Sequence, residues 1–225
     1  MAYAIDKEKI IDGITWGFGT TTTQKVVRGS RWWVPLQDYK RDVAKAKALL
    51  RESGYPNGVT FKGLVRKGWL NQDEMQIVQG QLKDADIHVE IEILDFATHQ
   101  NALRDGNYVF TITGGLPYVD PDLAYYQYFH TEKSQVNISN FNYPRYSNPK
   151  VDKLLEQGRT ELDFQKRYRI YKEALEIIHE ELPQIALGFA PYVFAFRNQV
   201  KGFDVYPNGQ FFYGVGGLGM AWLEK

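Results

Sequence analysis

The sequence predicts an α/β fold in which a mixed, mostly parallel sheet is flanked by helices. The clearest pattern lies between residues 59 and 113, where strand-like segments alternate with segments of helical spacing. Val59–Val65 and Tyr108–Thr113 have the apolar content of strands, and Val89–Ile93 alternates apolar with charged side chains. The order strand, helix, strand, helix, strand is typical of right-handed parallel crossovers.

The other helices are predicted from residues that cap helix N-termini. Short polar side chains precede apolar residues at helical spacing at Asp6, Asp42, Asp120 and Asn148. The longest helix is predicted over Phe164–Glu180, with Pro183 after its end. Two apolar strands, Gln184–Leu187 and Tyr192–Arg197, are expected to follow it.

Composition excludes several classes of protein. A chain of 225 residues with 44% hydrophobic content can bury a core, and its 27 basic residues balance 27 acidic ones. This balance argues against a nucleic-acid partner, because duplex binders usually carry a basic excess. The chain has no cysteine, which excludes thiol catalysis, cysteine-based zinc sites and disulfides.

Motifs for catalysis or for cofactor binding are not found in the sequence. None of the four histidines has metal-ligand spacing with another, and Gly214–Gly219 lacks the Lys-Ser/Thr of a phosphate loop. Asp120 and Asp122 could act as a glycosidase pair, but acids around a helix-starting proline are more often caps. We therefore expect no enzyme activity, no catalytic residue, no metal and no cofactor.

Aromatic residues in loops favour ligand binding instead. The chain has 15 Tyr, 13 Phe and 5 Trp, and several lie beside Gly and Pro, in Trp32–Pro35 and Gly115–Tyr118. Open α/β sheets bind ligands at the carboxyl ends of their strands, where Gly114–Tyr118 follows the third strand. The sequence therefore predicts a binding domain whose cleft includes this loop.

Five stretches in sequence order resemble the family 5 extracellular solute-binding proteins, the oligopeptide-, dipeptide- and nickel-binding group of ABC importers. They are 2–10 (AYAIDKEKI), 44–55 (AKAKALLRESGY), 120–122 (DPD), 146–155 (YSNPKVDKLL) and 167–183, which has the family's R...Y......I.EE.P pattern. Each motif is weak by itself, but five in the right order run almost from end to end. The chain is similar to the C-terminal lobe of that family, a lobe of the type II periplasmic-binding-protein fold.

The resemblance implies a receptor with two lobes that close over a ligand. Residues 1–200 are then expected to form the C-terminal lobe, and 201–225 a tail that returns toward an N-terminal lobe outside this sequence. The expected partners are a peptide or small-molecule ligand, that N-terminal lobe and the membrane permease of an ABC transporter. The resemblance also implies export to the periplasm or to an extracellular, membrane-anchored location, although no signal peptide opens this chain.

One departure from the family pattern concerns the ligand. In the peptide-binding members an Asp four residues before the Pro of the DP motif pairs with the ligand's α-amino group, and Pro117 stands there in this chain. A proline offers no charge, so sugars, opines and other solutes become comparable to peptides. The expected ligand-binding residues are Trp33, Gly115, Leu116, Tyr118, Asp120 and Asn140.

Two other functions stay open on the sequence. A carbohydrate-active enzyme domain would use the aromatic loops as platforms and the Asp120–Asp122 pair for acid–base chemistry. A peptide- or solute-sensing receptor domain would use the same cleft to signal rather than to import.

Overall fold

The fold was examined in a computed structural model, which describes residues 1–68, 71–115, 118–134, 141–191, 193–203 and 218–224. The α-helices are α1 Lys7–Thr15, α2 Val43–Glu52, α3 Asn71–Lys83, α4 Phe96–Asp105, α5 Pro121–Phe129, α6 Pro149–Thr160 and α7 Phe164–Glu181. The strands are β1 Thr20–Thr21, β2 Val59–Arg66, β3 Ile87–Leu94, β4 Phe110–Thr111, β5 Gly188–Phe189, β6 Val200–Lys201 and β7 Trp222–Leu223. Short 3-10 helices occupy Ala2–Ala4, Thr131–Ser134 and Leu218–Met220.

The central sheet is parallel, with β2 between β3 and β4. β2 and β3 pair along their full length, from Val59 opposite Ile87 to Arg66 opposite Leu94. β4 pairs in parallel with the other edge of β2. This arrangement confirms the fold class and the parallel crossovers that the alternating pattern predicts.

The first hydrophobic core lies between this sheet and α3. In β3, Ile87 and Val89 are buried while His88 and Glu90 are exposed, as the alternation predicts. The alternation ends before the strand does, since Ile93 is exposed. On α3 the buried side chains are Met75, Val78 and Leu82, at the spacing of one helical face.

The second core is formed by α5, α6 and α7. Its largest fully buried side chains include Tyr125 on α5, Leu155 on α6 and Tyr171 on α7. The close approach of α6 to α7 requires Gly158, because a Cβ atom there would lie 2.7 Å from two ring atoms of Tyr171. This core supports the start of α5, and therefore the loop that precedes it.

The caps predicted at Asp6 and Asp120 are confirmed, and the helices that follow Asp42 and Asn148 are capped in the same way. Asp6, Asp42, Asp120 and Asn148 each accept a hydrogen bond from a backbone N–H in the first turn of their helix. The longest helix ends at Glu181, where Leu182 adopts a left-handed conformation before Pro183. Within the described ranges, none of the helices combines the length and the apolar content that a membrane span needs.

Three strand predictions are wrong in extent or position. The third sheet strand is only Phe110–Thr111, because these are the two residues of the predicted strand that pair with β2, opposite Gly63 and Leu64. After α7, the strand is Gly188–Phe189 rather than Gln184–Leu187.

The position of that strand is set by its partner. β5 pairs antiparallel with β1, which offers only two residues. Residues 193–197 form no strand, and Tyr192 lies outside the described residues. At the described end of the chain, β7 pairs antiparallel with β6, with Val200 opposite Leu223 and Lys201 opposite Trp222.

Candidate ligand-binding site

The predicted binding loop lies where expected, between the carboxyl end of β4 and the start of α5. Gly114 and Gly115 are exposed, and Tyr118 forms a parallel bridge with Val26. Val26 therefore lies beside the loop. Leu116, one of the predicted ligand-binding residues, lies outside the described residues, as does Pro117.

The structure brings Gly115 and Tyr118 together around Tyr128 of α5. The hydroxyls of Tyr118 and Tyr128 are hydrogen-bonded at 3.0 Å, and their rings meet edge to face with centroids 5.9 Å apart. A Cβ atom on Gly115 would lie 3.5 Å from the Tyr128 hydroxyl, and the ring of Phe141 lies 5.2 Å from that of Tyr128. These residues form an aromatic wall, which we define as Tyr118, Tyr128 and Phe141.

A lysine that sequence reasoning missed lies against this wall. Lys25 Nζ is 3.8 Å from the centroid of the Tyr128 ring, and burial lowers the pKa of Lys25 to about 8. Burial also raises the pKa of Tyr128, with the Tyr118 hydroxyl adding to that shift. The sequence does not single out Lys25, because Arg28 and Arg31 lie in the same stretch between Asp12 and Asp38, which contains no acidic residue.

Asp120, a predicted polar ligand-binding residue, is occupied by protein contacts. It caps α5 by accepting from the N–H of Asp122 at 2.8 Å, and each of its two oxygens accepts from Arg167 at 2.8 Å. Burial by itself raises the pKa of Asp120, but the hydrogen bonds from Arg167 and Asp122 outweigh burial, so that this pKa lies below its usual value. The geometry therefore gives Asp120 the role of holding the loop in place.

Asp122 is also paired with an arginine. Its Oδ1 lies 3.1 Å from Nε of Arg159, whose guanidinium also lies over the ring of Tyr126. Burial raises the pKa of Asp122, and Arg159 opposes that shift. Each carboxylate of the Asp120–Asp122 pair thus has its own cationic partner.

Trp33 lies beside α7. Its backbone carbonyl accepts a hydrogen bond from the Tyr168 hydroxyl at 3.0 Å, and the guanidinium of Arg28 lies 5.1 Å from its half-buried ring. Trp32, its neighbour, is buried against Phe164. Asn140, the remaining predicted ligand-binding residue, lies outside the described residues.

The histidines and carboxylates of the described ranges form no cluster that could hold a metal ion. Asp95 caps α4 by accepting from the N–H and the hydroxyl of Thr98. His99 is buried and lies 3.1 Å from the Thr111 hydroxyl, and burial lowers its pKa. His130 is buried beside Glu156, at the end of α5.

Comparison with known proteins gives relatives along the whole chain. Heme-binding protein A of Haemophilus influenzae is 29% identical over 226 residues, which cover 95% of this chain and 40% of that protein. The structure of DppA from Helicobacter pylori with the peptide STSA matches 100% of this chain and 43% of its own, with a TM-score of 0.84 and 23% identity. The PBP AgaA of A. tumefaciens R10, solved with agropinic acid, gives a TM-score of 0.79 at 23% identity over 100% of this chain and 46% of its own.

These likenesses confirm the fold and show that the chain spans about two fifths of the length of the relatives it matches. The family model described as "Bacterial extracellular solute-binding proteins, family 5 Middle" matches residues 1–136, more than half of the chain. The motifs read from the sequence point to the same group. This chain belongs to the family 5 extracellular solute-binding proteins.

Proposed function

We propose that this chain forms one wall of the cleft in a solute-binding receptor that delivers its ligand to an ABC importer. The observation that carries the proposal is the loop at the carboxyl end of β4. There Tyr118 is fixed by its bridge to Val26 and by the hydrogen bond to Tyr128, so that an aromatic surface borders an exposed Gly115. An aromatic wall next to the exposed glycines Gly114 and Gly115 is suited to binding a solute.

The carboxylates of the site support binding rather than turnover. A glycosidase needs one carboxyl group to donate a proton and the other to attack or to activate water. Asp120 is held by Arg167 in two hydrogen bonds, and Asp122 is paired with Arg159. The hydrogen bonds from Arg167 keep the pKa of Asp120 below its usual value, so Asp120 stays ionised and is unsuited to act as a general acid.

The proposed receptor has two lobes, of which residues 1–200 form one. Residues 201–225 would return toward the other lobe, and exposed apolar side chains at the described end of the chain support this. Trp222 and Leu223 are more than half exposed, as expected for side chains that a second lobe would cover. We place the whole protein in the periplasm or on the outer side of a membrane, where a permease would take up its ligand.

The ligand of this receptor is proposed to be a small solute or a peptide. The relatives show the range, since their names and titles mention heme, the peptide STSA and agropinic acid. Pro117 removes the charge that a peptide's amine would require, so peptides have no preference over other solutes here.

The experiment is isothermal titration calorimetry on the intact receptor, after thermal-shift screening of peptides, sugars, opines and heme has found a stabilising solute. Tyr118→Ala is expected to weaken binding at least tenfold, because it removes the aromatic surface beside Gly115. Tyr55→Ala, at an exposed turn after α2, is the matched control and should bind like the wild type. Equal affinities for all three proteins would remove this loop from the site.

A further inference from the structure

We propose that Lys25 binds the anionic group of the solute, so that the receptor selects carboxylate-bearing solutes that need no free amine. This inference rests on the proposed function and names its ligand class. It also assigns a binding role to a residue outside the loop that follows β4.

Lys25 lies between two buried residues and against the aromatic wall. Its neighbours Gln24 and Val26 are buried, and Gln24 bonds to the carbonyl of Val34 at 2.6 Å. Lys25 itself is half-buried. Its ammonium lies over the Tyr128 ring, and the Tyr128 hydroxyl is bonded to Tyr118.

The charge of Lys25 is compensated by the protein only in part. Lys7, an interior lysine close in sequence, has the carboxylate of Asp38 at 2.6 Å. In the part of the chain that the structure describes, no carboxylate lies within 4.0 Å of Lys25 Nζ, and its partner is the face of the Tyr128 ring. Away from water, the face of an aromatic ring attracts a cation less strongly than a carboxylate does. The ring therefore does not offset the effect of burial, which lowers the pKa of Lys25.

A bound carboxylate would supply the missing countercharge. It would meet Lys25 at the wall, and the apolar part of the solute would lie against Tyr118 beside the exposed Gly115. Asp120 is a poor partner for an amine, since its charge is already paired with Arg167 through both carboxylate oxygens. Among the described residues around the aromatic wall, the charge of Lys25 is therefore the one that the protein leaves without a carboxylate partner.

The test titrates the intact receptor with two matched probes, N-acetyl-phenylalanine and its uncharged amide, up to millimolar concentrations. Methylation of the lysines with carbon-13 gives each lysine an NMR signal. The signal of Lys25 is identified by its absence from the spectrum of Lys25→Gln. N-acetyl-phenylalanine is expected to raise the pKa of Lys25 from about 8 toward the ordinary value of 10.5. The amide should leave that pKa unchanged, and neither probe should affect the exposed Lys153.

Affinity gives the second readout. Lys25→Gln should weaken binding of N-acetyl-phenylalanine about tenfold or more, and Lys25→Arg, which keeps the charge, should retain most of it. A Lys25 pKa that responds equally to both probes, or to neither, overturns the inference. The proposed function has its own test: a solute whose binding depends on Tyr118 but not on Lys25 would keep that function while this inference fails.

Discussion

Arg167 on α7 donates two hydrogen bonds to Asp120, one to each carboxylate oxygen and each 2.8 Å long. Its Nε also donates to the carbonyl of Gly158 at 2.7 Å. The side chain of Arg167 thus connects the C-terminal half of α6 to Asp120, the residue that precedes α5. Because Asp120 ends the loop that begins at Gly114, this pairing fixes one end of the proposed binding loop.

Arg167→Leu is expected to destabilise the protein. The substitution leaves Asp120 without its partner, and we expect the free energy of unfolding to fall by roughly 1–2 kcal/mol. The loss is this small because Asp120 is partly exposed and water screens its charge. Urea unfolding measures this loss. Lys150→Leu, which breaks the exposed pair with Glu173 between α6 and α7, is the control and should cost no more than about 0.5 kcal/mol.

The same pair predicts a dependence of stability on acid. The pKa of Asp120 lies below its ordinary value in the folded protein, so its contribution is complete above the unfolded pKa of 3.8 and is lost as the pH falls through the folded pKa. Asp120→Asn should therefore be less stable than the wild type mainly at neutral pH. Urea unfolding of both proteins at neutral pH and near pH 3 measures this difference. A variant that destabilises equally at both pH values would assign the effect to something other than ionisation.

Gly158→Ala tests the packing of the second core. The added methyl group would lie 2.7 Å from the Tyr171 ring, which is fully buried and cannot move aside freely, so we expect a loss of about 1–3 kcal/mol. Gly80→Ala is the matched control on α3. A Cβ atom there meets nothing within 4 Å, and alanine should stabilise the helix by up to about 1 kcal/mol. Thermal unfolding of both variants compares them directly.

Binding of a carboxylate-bearing solute should weaken in alkaline solution. The pKa of free Lys25 is about 8 and a bound anion raises it, so affinity should be constant below pH 8 and fall between that pH and the pKa of the complex. Calorimetry of N-acetyl-phenylalanine from pH 6 to pH 10 measures the decline. Lys25→Arg should remove it, because arginine stays protonated over this range. A decline that persists in that variant would belong to another group.

Helix positions followed from the sequence because their signals are local. Asp42 and Asn148 cap helices within a few residues of themselves, and each cap is present. Strand lengths depend on partners far along the chain. β5 is limited to two residues by β1, which lies near the other end of the chain, so the apolar character of Gln184–Leu187 was not enough to place the strand.

The same difference between local and distant signals applies to the proposed site. The position of the loop after β4 could be predicted, because the carboxyl edge of a parallel sheet is a general binding place. The role of Asp120 required Arg167, which lies 47 residues later, and the importance of Lys25 required the ring of Tyr128 on α5. Neither contact leaves a pattern in local sequence.

The most direct test of solute binding is native mass spectrometry of the intact protein purified without denaturation from the cells that produce it. We expect a protein larger than this 26.0 kDa chain that carries one small molecule, released on denaturation and lost in Tyr118→Ala. A protein that never carries or binds a small molecule, or one that carries it equally with and without Tyr118, would contradict the proposed role of this chain in the cleft.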